Sequence, residues 1–497
     1  MSTASESRRT VTPDDRAAVN PFAALSGLLD RPMASFYLLL SAAGLLLTIG
    51  LLMVLSASSI KSYAVTGSAF AFFNNQLVYA GLGLVAFWFA LRLRVRAFRL
   101  LAYPLLLISG GLLLLLVLVP SAGVRVNGAV LWINIGGLSI QPSEPAKLAL
   151  ALWAADVLVR KHALLGQGKH LLVPLFPVAG LLLVILGKED LGGMLSLLLI
   201  LLALLWVTGV RFRVFGMLLS VALAGILMLI FAAPHRIARL TSFADPFADA
   251  QDTGHQAVQG LFALSTGGWW GVGLGASRQK WGALPEAHND FIFAIVGEEL
   301  GVIGCLLVIG LFCVLGYTGF RIARRAADPF VRLVAAACTV WLVGQAFINM
   351  GGVVGLVPIT GVTLPLISAG GSSLVLTMFV IGMLASFARL EPAAAAALHA
   401  RGRTRWAKVL GIPLPPRPRA ARPARARPDA GAVRPEPGAA RPARLRPDPG
   451  APAPPRPAAR PGSAAHPKPT PGRTAARPAV ARGSAPVPRQ RGGRSVS

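Results

Sequence analysis

Ten long apolar runs follow one another between residues 36 and 390. They lie at roughly Phe36–Ser56, Gln76–Leu91, Leu100–Val119, Ala146–Val159, Leu171–Gly187, Leu191–Val210, Val214–Ala232, Phe291–Gly316, Phe330–Met350 and Ser372–Leu390. The second, fourth and fifth are short. An apolar stretch of about 20 residues spans a bilayer as a helix, and lipid offers no partner to an exposed backbone group. The pattern therefore predicts an all-α, polytopic membrane protein with about ten transmembrane helices, a long exterior loop over 233–289 and polar ends.

The polar ends differ. Residues 1–35 are mixed in charge, and no small-residue cleavage site follows the first apolar run, so that run is expected to stay as an anchor. Residues 391–497 are rich in Arg, Pro and Ala, and 22 of the chain's 38 prolines lie from Gly411 onward. Such a segment buries nothing and is expected to be a disordered tail, partly extended as polyproline II.

Composition agrees. Hydrophobic residues make up 54% and charged residues 14%, with a mean hydropathy of +0.63. These values exclude an ordinary soluble domain, which carries about 25% charged residues. The net charge of +28 is uneven: Arg401–Ser497 holds 22 basic and 3 acidic residues. Trp406 is the one aromatic residue there, and binding of single-stranded nucleic acid relies on interleaved aromatics. No nucleic-acid partner is expected; the tail reads as an arm near anionic head groups or acidic partners. Cys305, Cys313 and Cys338 all sit in apolar runs, which gives neither a disulfide framework nor a zinc spacing.

Loop charge sets the orientation. With the N-terminus inside, the interior loops carry 13 Lys/Arg in 34 residues and the exterior loops 7 in 125, the excess that the positive-inside rule demands. Both termini are then expected to be cytoplasmic.

Polar residues in such a chain are costly and tend to be functional. The first cluster runs from Asn127 to Trp132 and from Gln141 to Lys147, and reads as a loop along the outer interface leading into the fourth span. Glu144 and Lys147 are three apart and can share one helix face, either as a structural pair or as site lining. A second cluster, Lys188-Glu189-Asp190, is either a tight exterior turn or a polar notch. The 233–289 loop shows no clear secondary structure in its sequence and is rich in Gly and aromatics, which argues for function over disorder. Its glycines could let backbone N–H groups approach a phosphate, but no strand precedes them and the Walker lysine is missing.

Asp290 stands at the mouth of the eighth run. Burial against Phe291 and Phe293 would raise its pKa, whereas Arg278 or Lys280 nearby would lower it. A carboxyl poised that way can act as a general base. Glu298 and Glu299 follow, roughly 12 Å deeper along a helix, and read as partners for other helices. Gly361–Ser373 combines Pro and Gly and suggests a re-entrant segment, which survives at membrane depth where it lines a cavity or is buried in protein.

Together these clusters resemble the SEDS family (shape, elongation, division and sporulation), whose members include FtsW and RodA. The matching pieces are NGAxxW at 127–132, QPSEPAKL at 141–148, STGGWWGVGLGASRQKWGALPEAHNDFIFAIVGEELG at 265–301 and GLVPITGVTLPLISAGGSS at 355–373. The likeness covers about 36–390, and the wording HNDFIFAIVGEELG is closer to the division branch than to the elongation branch. The resemblance implies a peptidoglycan glycosyltransferase that polymerises lipid II, an undecaprenyl-pyrophosphate-linked substrate, on the outer face of the bacterial cytoplasmic membrane during septal synthesis. It implies a class B penicillin-binding protein as partner, with other membrane proteins of the division machinery.

The family's essential acid falls on Asp290, its cavity-lining pair on Glu144 and Lys147, and its loop cation on Lys280. Arg236, Arg278, Glu286 and Ser372 complete the candidate substrate-binding set. Glu189 and Gly193 stand where the family commonly has Pro and Thr, Leu131 where it has a basic residue, and Ala369 where an aromatic is common. The pyrophosphate leaving group needs positive charge or backbone donors. A divalent cation, Mg or Mn, is a candidate cofactor, held by substrate phosphates and one carboxylate; no organic cofactor is expected. Two alternatives are a lipid II flippase or other transporter, and a non-catalytic scaffold for the crosslinking enzyme. Transporters place sites at the midplane, often with repeat symmetry, whereas here the polar clusters collect on the outer side.

Overall fold

The computed structural model describes residues 27–417, apart from 28, 127–128, 136–137, 162–167, 233, 252–253 and 283. Ten helices of 18 or more residues coincide with the ten apolar runs: α1 (Ala34–Thr66), α2 (Ala71–Arg92), α3 (Val95–Leu118), then α4 (Ser143–Arg160), α5 (Gly168–Glu189), α6 (Leu191–Thr208), α7 (Phe212–Phe231), and after the long loop α10 (Ile292–Arg325), α11 (Pro329–Val353) and α12 (Gly371–Ala388). Seven of them are long and apolar enough to cross a membrane by composition; the other three are α2, α4 and α5, the short runs of the sequence. For α4 the reason is its position. Ser143 through Leu158 are almost wholly buried by protein, so neighbouring helices rather than lipid surround it. By contrast, α7 has no buried residue and lies at the periphery.

Local chemistry sets the ends. Gly67 and Gly209 close α1 and α6 in the left-handed conformation, at φ 73° and 75°. Asp190 caps α6 by accepting from the Gly193 N–H at 2.7 Å, and Asp328 caps α11 through the Phe330 N–H at 2.9 Å with Pro329 in the first turn. The 188–190 cluster is therefore a tight capped turn. Arg99 and Asp328 pair at 2.8 Å, which brings the basic loops 92–99 and 321–332 to one end of the bundle, here the basic end.

Three expectations need correction. The 120–144 segment is not only a loop. It folds as an antiparallel meander of β1 (Val124–Val126), β2 (Ala129–Ile135) and β3 (Leu138–Ile140), with Val126 opposite Ala129 and Ile135 opposite Leu138. Side chains from the helices hold it: Glu189 accepts from the Val130 N–H at 3.3 Å, and the Tyr79 hydroxyl accepts from the Ser139 N–H at 3.2 Å.

The 233–289 loop contains α8 (Pro234–Ala244) and α9 (His255–Gly267) and a single turn at Gln279–Trp281. Its glycine stretch is bonded to a break in α10. Gly301 has φ 69° and ψ −168° inside that helix. The amides and carbonyls released there pair with the loop, Val272 N–H to Glu298 O at 2.9 Å, Gly273 N–H to Glu299 O at 3.1 Å, and Val302 N–H to Gly268 O at 2.9 Å. Glu298 and Glu299 thus sit at a helix break beside the loop, not inside an unbroken apolar span.

The boundary of the tail also moves. Residues 392–417 belong to the body: α13 (Pro392–Arg401) and α14 (Arg405–Val409) lead into an extended strap. Trp88, Arg92, Arg389 and His399 bond the carbonyls of Leu410, Gly411, Pro413 and Pro415 at 2.9–3.2 Å. The rest of the expected disordered tail, with residues 1–26 of the N-terminal segment, lies outside the described residues.

Candidate functional site

The segment Gly361–Gly370 turns back into the bundle, as its Pro and Gly content predicts. A methyl group at Gly50 of α1 would come 2.4 Å from the Leu366 carbonyl oxygen, so glycine permits the approach. Ser368 fastens the segment to the residues before Asp290: its hydroxyl donates to the Asn289 carbonyl at 2.7 Å, and Ala369 N–H bonds the His288 carbonyl at 3.1 Å. From α11, Asn349 Nδ2 donates to the carbonyls of Asp290 at 2.8 Å and Val362 at 2.7 Å. Residues 288–290 are therefore held by two elements, the re-entrant segment and α11.

Its carboxyl faces a crevice lined by Phe291, Ile348, Asn349, Thr360, Gly361 and Val362 among others. Oδ1 is buried without a hydrogen-bond partner. Oδ2 lies beside Gly361, 3.5 Å from where a methyl would be, and the φ of +71° there excludes most side chains. Burial lifts the pKa of Asp290 to about 7; Glu286 and Asp190 add to the rise and Arg239 opposes it. Burial likewise raises Asp190, with the Gly193 N–H and Lys147 opposing. Asp190 also accepts from Gln141 at 3.4 Å.

The Glu144–Lys147 pair is formed and buried. Lys147 Nζ lies 2.8 Å from Glu144 Oε1, 3.3 Å from Gln345 Oε1 and 5.1 Å from the Trp341 ring centre. Gln345 in turn accepts from Trp341 Nε1 at 2.8 Å and donates to the Thr363 carbonyl at 2.9 Å. Trp341, Gln345 and Asn349 are spaced by four and share one face of α11. That face joins the buried pair, the re-entrant segment and Asp290.

The remaining candidates divide. Ser372 accepts from the Gln141 N–H at 3.2 Å and ties the β-meander to α12. Glu286, at a left-handed φ of 52°, pairs with Lys61 at 3.3 Å. Lys280, buried, is committed to Glu299 at 3.3 Å, to Ser56 at 3.2 Å and to the Gly275 carbonyl. Arg278 is exposed, and its backbone N–H donates to Glu298 at 2.8 Å. Arg236 bonds the carbonyls of Gly187, Lys188 and Leu229 at 2.6–3.0 Å. Lys280 and Arg236 hold the scaffold together and have no free fork for a phosphate.

The cation whose charge opposes the rise at Asp290 is Arg239, one turn beyond Arg236 on α8. It lines a chamber of about 440 Å³ with Ser242, Gln251, His255 and Gln256, and this chamber shares Gly352, Val353 and Ile359 with the Asp290 crevice. Nothing in the sequence separated Arg239 from Arg236. Gln345 and Asn349 had a signal, being amides four apart in an otherwise apolar run. No group of three His, Cys, Asp or Glu that could hold a metal occurs among the described residues.

These features define a polytopic membrane protein with an acid-centred crevice at the end of the bundle opposite its basic loops. Residues 36–392 match the FtsW, RodA and SpoVE family of cell cycle proteins, and the chain belongs to that family. It is 45% identical over 388 residues to the probable peptidoglycan glycosyltransferase FtsW of Mycobacterium tuberculosis, covering 78% of this chain and 74% of that protein. The stage V sporulation protein E of Bacillus subtilis is 40% identical over 346 residues, 69% of this chain and 94% of the relative. Two solved structures share the fold. A chain of a peptidoglycan synthase complex, studied for its coordination of polymerization and crosslinking, superposes with a TM-score of 0.57 at 27% identity over 71% of this chain and 97% of that one. A mutant of the Thermus thermophilus rod shape determining protein RodA gives 0.51 at 26% identity, over 71% and 97%.

Proposed function

We propose that the protein is a peptidoglycan glycosyltransferase that polymerises lipid II, with Asp290 as its general base. The observation that carries this reading is the Asp290 carboxyl: one enclosed oxygen, one beside Gly361 at a small crevice, and a pKa near 7. A sugar hydroxyl is a poor nucleophile until its proton is taken, a step worth about 10²–10⁴ in rate when the base is tuned near the working pH. The proton passes to Asp290 as the acceptor oxygen bonds the anomeric carbon of the donor. The bond from that carbon to the pyrophosphate oxygen breaks, and undecaprenyl pyrophosphate leaves with its electron pair. Arg239 meets the charge that develops on the leaving group. The apolar helix faces accommodate the polyprenyl chain. A divalent cation would be held by the substrate's pyrophosphate and one carboxylate.

Septal peptidoglycan synthesis is supported by the FtsW-named relative. The synthase complex among the solved structures supports a penicillin-binding partner that crosslinks the product. The loop charges support an inner-membrane orientation with the crevice outside and both termini in the cytoplasm. The test is polymerisation of labelled lipid II by the purified chain and its crosslinking partner, with the partner's transpeptidase serine blocked by a β-lactam. Glycan ladders from the wild type and none from Asp290→Ala are expected. Ladders from both would remove Asp290 as the base; ladders from neither, in folded complexes, would favour transport or scaffolding.

A further inference from the structure

At the basic end of the bundle, at the other end of α10 from Asp290, a groove of about 660 Å³ opens between the last turn of α6, the last turns of α10 and the first turns of α11. Its wall is Val207, Tyr317, Phe320 and Ala336, and its rim is Arg324 and Arg332. Tyr317, Phe320 and Arg324 are three and four apart, so they share one face of α10. Tyr317 and Phe320 are 44% and 41% exposed, large apolar surfaces that no other part of the described chain covers.

Among the described residues no carboxylate pairs with either guanidinium. Arg324 is exposed and has no hydrogen-bond or ion-pair partner among the described residues. Arg332 makes a single long contact, 3.5 Å to the Ala326 carbonyl. The nearby carboxylates are engaged elsewhere: Asp328 pairs with Arg99 at 2.8 Å and caps α11, and Glu391 faces Arg325 at 3.7 Å. The groove thus offers a forked cationic rim above an apolar and aromatic trough, at the depth where helix ends meet head groups. Guanidiniums bind phosphate oxygens in a fixed two-pronged geometry, and basic pockets between transmembrane helices accept phospholipid head groups. A soluble anion would leave the trough uncovered, and a zwitterionic lipid would bring its own cation to the rim.

We infer that this groove is a binding site for one anionic phospholipid, its phosphate on Arg324 and Arg332 and an acyl chain along Phe320 and Val207. The site is independent of the glycosyl-transfer reading.

Native mass spectrometry of the full purified chain tests it, with phosphatidylglycerol and phosphatidylcholine offered together. The wild type should retain a single phosphatidylglycerol with roughly a 10- to 30-fold preference, the scale expected for two head-group arginines. Arg324→Gln with Arg332→Gln should bring that preference close to unity. Arg324→Gln alone, which removes an exposed and unpartnered side chain and so leaves the fold intact, should lose about half of it on a logarithmic scale. Arg211→Gln with Arg213→Gln removes basic-end charge outside the groove and should leave the preference in place. An equal loss from that pair would reduce the effect to general surface charge and overturn the site. So would an unchanged preference in the Arg324→Gln variant, or displacement of the lipid by inorganic phosphate.

Discussion

Asn349 donates a hydrogen bond to the backbone carbonyl of Asp290 at 2.8 Å, and its second amide hydrogen reaches Val362. The acid is thus aimed by a residue 59 positions later in the chain. Asn349→Ala should lower the polymerisation rate by on the order of 10²-fold, the scale of an ångström of misplacement at a reacting group. KM should change little, because Asn349 bonds backbone atoms. Steady-state rates against lipid II concentration would check the split.

The pKa of Asp290, near 7 instead of near 4, predicts an acid limb in the rate. Activity should fall tenfold per pH unit below about 7, as the base becomes protonated. The same shift makes a stability prediction. Below about pH 4 the carboxyl is neutral in both folded and unfolded chains. As pH rises toward 7 the unfolded chain ionises first, so folded stability falls and the cost is complete above about 7. Asp290→Asn should therefore raise the thermal midpoint at pH 8, with the gain shrinking toward pH 4.

Lys147 and Glu144 are buried together, at 2% and 8% side-chain exposure. Removing one partner strands a charge in the protein interior, at a cost of about 3–5 kcal/mol. Lys147→Met should destabilise the protein by that order in detergent unfolding. Lys147→Met with Glu144→Leu should recover part of the loss.

Gly301 breaks α10 at a left-handed φ, and an added methyl would lie 2.5 Å from Gly271 N and from the Trp269 carbonyl. Gly301→Ala should release the 268–273 stretch from the helix. Limited proteolysis should then cut near the exposed Trp269, Trp270 and Trp281 faster than in the wild type.

Truncation after Arg417 should leave the thermal midpoint unchanged. Truncation after Lys408 removes the carbonyls that Trp88, Arg92, Arg389 and His399 bind, and should lower it. A midpoint that moves equally in both would show that the strap contributes nothing.

The helical body was legible in the sequence because lipid forbids the alternatives: each apolar run became a helix. Asp290 was legible as a carboxyl at the mouth of a span, and Glu144 with Lys147 as a face-sharing pair. The meander over 124–140 was not, although Asn127-Gly128 and Gly136-Gly137 stand between its strands and are favoured hairpin dipeptides. The short strands around them read as an interfacial loop, because two of the three are only three residues long. Lys280, Arg236 and Arg239 all read as cations in an exterior loop. Two of the three neutralise a carboxylate or cap helix carbonyls, and partnership of that kind is set by tertiary approach, which local sequence does not carry. Glu298 and Glu299 read as part of a continuous helix; only contact with the loop shows why Gly301 breaks it.

The hold on residues 288–290 has a consequence for synthesis. The bonds that orient the acid come from Asn349, Ser368 and Ala369, all translated after it. A nascent chain inserted only through α10 carries Asp290 but none of these bonds. The observed geometry around Asp290 can arise only once α11 and the re-entrant segment are in place, so this site is completed late in insertion.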